Sequence, residues 1–175
     1  MPAAVYNLAK QEQEVRDLVD QERSYQNQML GGRSKGRPTI FGNILLLDNY
    51  IAKAFEAWAE HSDEDAALSE VRKITAIAIR CMEDNGGMDG MGMTRSDVYT
   101  VALGERSLPF PQVIDLAEAL VRLRSLVREA EDVARRAELG RMPMGSVKEI
   151  IAYGVATMEI HGAPARQMEP RRNGK

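Results

Sequence analysis

The residues best suited to hold an anion are Arg33, Lys35 and Arg37, set within five positions of one another in GGRSKGR, just ahead of a helix-forming stretch. Gly-rich backbone leading into a helix N-terminus presents amide N–H groups to a phosphate, and basic side chains add charge. The segment lacks the GK[ST] ending of a Walker loop, and a plain solvated connector fits the same residues. Arg72 and Lys73 are the next basic pair and read as surface charge. The carboxylates at helical spacing are Glu56/Glu60 and Glu60/Glu64, with Glu83 and Asp84 adjacent and therefore divergent. A metal site on helices needs such pairs aimed into a shared core, whereas these positions suit a solvated acidic face. His61 and His161 both fall at expected helix ends, so no histidine base is paired with a nucleophile. Cys81 is the only cysteine, which excludes an intrachain disulfide and a Cys-rich zinc site. It falls in the apolar phase of its segment and reads as a buried structural thiol.

The elements that must position these residues are helices. Aromatics make up only 5% of the chain, so Leu, Ile, Val, Ala and ten Met have to fill the interior. The abundance of Ala, Leu, Glu, Arg and Met, with few β-branched runs, favours helix. Residues 70–87, EVRKITAIAIRCMEDNGG, recur as residues 146–163, SVKEIIAYGVATMEIHGA. At the constant offset of 76, Val71/Val147, Ile74/Ile150, Ala76/Ala152, Met82/Met158, Glu83/Glu159 and Gly86/Gly162 are identical. Two copies of one helical unit packed together would account for this, as would two amphipathic helices that converged on one pattern.

The expected fold is all-α: a helical bundle built from two repeated hairpins plus an N-terminal helix. The chain divides into an N-terminal helix over 1–30, the basic connector 31–39, a first hairpin over 40–87 and a flexible Met/Gly linker over 88–94. A short helix and the second hairpin occupy 95–163, and a disordered tail 164–175. Thr94 with Asp97 reads as a helix start, and Ser146 with Glu149 as a capping box for the second repeated helix. The long helix from about 111 to 139 carries Val113, Leu116, Ala117, Leu120, Leu123, Val127 and Ala134 on one stripe. The N-terminal helix packs alongside the hairpins or is exchanged with a partner chain, and an apolar seam on it would favour a homodimer. No apolar run reaches membrane-spanning length and the first residues do not form a secretory signal, so a cytoplasmic protein is expected. The net charge of −3 disfavours a general nucleic-acid partner.

LLLDNYIAKAFEAW, a polar turn, and LSEVRKITAIAIRCMEDNG resemble the paired core helices of all-α nucleoside triphosphate pyrophosphohydrolases of the MazG-like kind. With Arg23-Ser24-Tyr25-Gln26 upstream, residues 20–87 look more like small helical proteins of tailed phages and prophages that share this layout. The resemblance implies magnesium held by Glu-x-x-Glu on the first core helix and Glu-x-x-Asp on the second. Here Leu47 and Tyr50 fall where the first pair belongs, and Glu70 is followed by Lys73 instead of Asp. A lysine ammonium repels Mg²⁺, which needs oxygen ligands, so the magnesium chemistry is lost or moved.

These readings point to a non-catalytic helical binding protein with no cofactor, a phage-type accessory that takes a host protein partner or a phosphate-bearing nucleotide ligand at Arg33, Lys35 and Arg37. One alternative is a divergent pyrophosphohydrolase that uses magnesium through Glu56, Glu60 and Glu70. A second is a DNA-associated regulator, which rests on the connector and on Arg166, Arg171, Arg172 and Lys175 of the tail.

Overall fold

The computed structural model describes residues 3–31, 39–86, 92–104, 115–136 and 143–166. Among them the regular structure is entirely helical: α1 Ala3–Gly31, α2 Ile40–His61, α3 Glu64–Asn85, α4 Arg95–Leu103, α5 Leu116–Arg136 and α6 Met144–His161. None of these helices is long and apolar enough to cross a membrane.

Capping chemistry sets most of the helix starts. Thr39 accepts the Gly42 amide at 3.1 Å to open α2, and Asp63 accepts the Ala66 amide at 2.9 Å to open α3. Glu64 and Asp65 then place negative charge in the first turn of α3, where the helix dipole favours it. Thr94 and Asp97 form both halves of the expected capping box at α4. The expected box at Ser146 does not form. The helix begins three residues earlier, with Pro143 as N-cap and its carbonyl accepting the Val147 amide at 3.0 Å. Proline fixes φ near the helical value, and this lets the helix start upstream. Ser146 is left inside the first turn, buried.

The bundle is a ring in which α2 packs on α3, α3 on α6, α6 on α5 and α5 back on α2. The repeated segments, now α3 and α6, thus lie against each other, and their hairpin partners α2 and α5 also meet. This pairing fits a duplicated hairpin and two converged amphipathic helices alike. Ile74, Ile77, Cys81 and Met82 of α3 are buried, as are Ile150, Ile151, Val155 and Met158 of α6. At their crossing a Cβ added to Gly154 would stand 2.0 Å from Thr75 Oγ1, so only glycine allows this approach. Under the 76-residue offset the counterpart of this pair is Ala78 with Ile151, both buried. On α5, Leu116, Leu120, Leu123, Val127 and Ala134 are buried as expected, Ala117 is half-buried, and Val113 lies outside the described residues.

Helix α1 lies across α3 and α6 in the same chain, and α4 rests on α6 and α3. Charge fastens both. Glu83 of α3 accepts Arg23 Nε of α1 at 2.8 Å and Arg95 Nε of α4 at 2.9 Å, and the Tyr99 hydroxyl donates to Asp20 at 3.0 Å.

Candidate functional site

Three helix faces converge on one cleft. From α1, at spacings of three and four, come Glu22, Tyr25, Gln26 and Met29; from α2, Leu46 and Tyr50; from α3, Lys73, Ile77 and Arg80. Arg166, beyond α6, completes the lining, and the open cleft has a volume of about 340 Å³. The stripe that carries buried Val15 and Val19 continues along α1 as Glu22 and Gln26, so its apolar face turns polar where the cleft opens.

The cations of this cleft differ in how they are compensated. Lys73 Nζ lies 2.6 Å from Glu70 Oε1. Arg166 Nη1 lies 3.0 Å from Glu22 Oε2, and its guanidinium covers the Tyr25 ring, 3.1 Å from the centroid. Arg80 is buried, and the hydrogen bonds of its guanidinium go to an amide and not to a carboxylate. Its Nε and Nη2 both donate to Asn43 Oδ1, at 3.2 and 2.9 Å, and its Nη1 has no described partner. Burial first, and then repulsion from Arg23, push the Arg80 guanidinium below its ordinary pKa; Asp84, one turn away, only partly offsets this.

Arg72 is not surface charge. It is fully buried, with Nε 3.5 Å from Glu22 Oε2, Nη2 donating to Ser69 Oγ at 3.1 Å and Nη1 donating to the Pro164 carbonyl. A guanidinium tolerates such a position only because a carboxylate from α1, fifty residues away in sequence, meets it there. Its pKa is lowered, chiefly by burial. Lys73 is half-buried.

Arg33, Lys35 and Arg37 lie outside the described residues, as do Arg171, Arg172 and Lys175. Their connector joins α1 to α2, two of the helices that line the cleft. Glu56 and Glu60 come together with His61, their ligand atoms all within 4.8 Å of one another, and all three are exposed. Glu70 is not in this group; it is engaged by Lys73. Of the residues at the magnesium positions implied by the resemblance, Leu47 is buried in the apolar core and Tyr50 packs against it. With Lys73 on Glu70, these positions do not fit a divalent cation. Cys81 is buried and its thiol is pushed up to about 11, mainly by burial, so it is a packing group.

Sequence reasoning passed over Glu22, Asn43 and Arg80, and marked Gln26 only as part of the stretch from Arg23 to Gln26. For Arg80 a signal was present: it is the single charge in ITAIAIRCM, where every other residue is apolar apart from one threonine. Comparison with protein-family models, with curated proteins and with solved structures gives no match.

Proposed function

We propose that this protein is a non-catalytic binding protein for a small phosphate-bearing ligand of the nucleotide class, held in the cleft between α1, α2 and α3. The observation that carries this reading is Arg80. A buried guanidinium without a carboxylate in hydrogen-bond contact is costly to keep, and an anion bound beside Nη1 would complete the counter-charge. Gln26 Oε1, on the cleft wall, is a buried acceptor with no partner. Among the described residues that line the cleft Glu22 is the one carboxylate, and this favours binding over magnesium-dependent hydrolysis.

Calorimetric titration with nucleoside mono-, di- and triphosphates tests the reading, alongside a pyrophosphate-release assay with Mg²⁺. Saturable binding that weakens with salt, is lost in Arg80→Met and is accompanied by no release is expected. Mg²⁺-dependent release would favour the hydrolase instead and direct attention to Glu56 and Glu60. Absence of binding by the wild-type chain would refute the cleft as a ligand site.

A further inference from the structure

Residues 162–166, just beyond α6, stay on the bundle. Gly162, at φ +100° and ψ 158°, adopts a backbone conformation that side-chain-bearing residues rarely reach. Residues 163–166 then return across α3 and α1. Two contacts hold them: Arg72 Nη1 donates to the Pro164 carbonyl, and Arg166 reaches Glu22. Arg166 lines both the cleft and a neighbouring recess of about 510 Å³ bounded by Glu70, Arg72 and Pro164.

The three cations of the cleft leave different things behind when an anion recruits them. Drawing Lys73 away strands Glu70, whose Oε2 is already buried without a partner. Arg80 abandons no hydrogen-bonded carboxylate. Arg166 leaves Glu22, but Glu22 is still met by Arg72 at 3.5 Å, so its charge stays paired. Arg166 is also the only one of the three carried by a short extension and not by a packed helix. We infer that residues 162–166 are a strap that delivers a second ligand cation, with Arg166 passing from Glu22 to the ligand while Arg80 holds the first phosphoryl group. The ligand is therefore one with two linked phosphoryl groups, a diphosphate, in preference to a lone phosphate. This inference rests on the reading of Arg80 as the anion anchor.

The test is calorimetry with inorganic phosphate, pyrophosphate and ADP on the full chain, on Arg166→Ala and on Arg166→Lys. The wild-type protein should bind pyrophosphate at least about tenfold more tightly than phosphate, the worth of one further charge-assisted contact. Arg166→Ala should reduce that preference to about threefold or less, the loss falling mainly on pyrophosphate, and Arg166→Lys should fall between. A cooperative melt close to that of the wild-type chain checks that the Ala variant is folded. ADP binding as tightly as pyrophosphate would identify the free diphosphate as sufficient, and tighter ADP binding would add nucleoside contacts; both support the diphosphate assignment. If the wild-type chain binds but Arg166→Ala keeps the full preference, or loses both anions equally, the strap inference is wrong and the Arg80 anchor stands. If the wild-type chain binds none of the three, both readings fall.

Discussion

Arg80 and Asn43 meet in the interior of the bundle, two guanidinium nitrogens on one amide oxygen at 3.2 and 2.9 Å, in a place where a carboxylate would be expected. The amide Nδ2 of Asn43 is itself buried and unpaired. Burial of the pair leaves the Arg80 charge without a carboxylate in hydrogen-bond contact beside the cleft, offset only in part by Asp84. A fold optimised only for stability would place an apolar residue or a full ion pair there.

The α3–α6 crossing depends on the absence of a side chain at Gly154. Gly154→Ala should destabilise the protein by about 1–3 kcal/mol, because the new methyl would overlap the Thr75 hydroxyl. Combining it with Thr75→Ala should recover most of that loss, a coupling that a double-mutant cycle in urea reads directly. Strictly additive costs would place the strain elsewhere.

Ile74 and Ile150 are equivalent under the repeat and both fully buried. Truncating either to Ala should cost roughly 2–5 kcal/mol by denaturant unfolding. A cost below about 1 kcal/mol at either position would contradict the shared core between the two copies.

Glu83 binds Arg23 and Arg95 together, and the Arg23 side chain is only 7% exposed. Glu83→Ala should therefore cost about 3–5 kcal/mol, since Arg23 stays buried without its partner. Hydrogen exchange should show α1 and α4 opening more readily than α2. Uniform loss of protection across all helices would argue against this carboxylate as the specific fastening.

The Cys81 thiol, raised from 9.0 to about 11, keeps its proton in the folded state at pH values where the unfolded chain has lost it. Its contribution is fully present below pH 9.0 and is lost as pH rises towards 11, so stability should fall across that window. Tyr99, also raised by burial and by Asp20, adds to the fall above its ordinary 10.0. Unfolding at stepped pH should show a shallower decline in Cys81→Ala than in the wild-type chain. Identical slopes would rule out the thiol as a contributor.

Much of the architecture was legible because the helices announce themselves locally. Thr94 and Asp97 carry their own cap, and the apolar phases of α3, α5 and α6 match the faces they bury. The 76-residue offset even anticipated which helices would be neighbours. The start of α6 was misread because a serine and a glutamate at the right spacing look the same whether the helix begins there or upstream at Pro143. The cleft was harder to see, since it depends on pairings with no local trace. Arg72 reads as surface charge until Glu22 is known to meet it, and Arg166 belongs to a polar tail until Gly162 turns it back. Arg33, Lys35 and Arg37 offered the conspicuous basic cluster, whereas Arg80 was a single charge within an apolar run.

The most direct test of the account compares thermal melts of the wild-type protein and Arg80→Met, each with and without ADP. Without ligand the variant should melt at the same temperature or higher, because methionine fills similar space and removes a buried charge that is only partly compensated. With ADP about 100-fold above its dissociation constant, the wild-type midpoint should rise on the order of 5–10 °C, and that of the variant should not move. A variant that melts well below the wild-type protein without ligand, yet gains as much from ADP, would show that Arg80 serves the core and not the ligand.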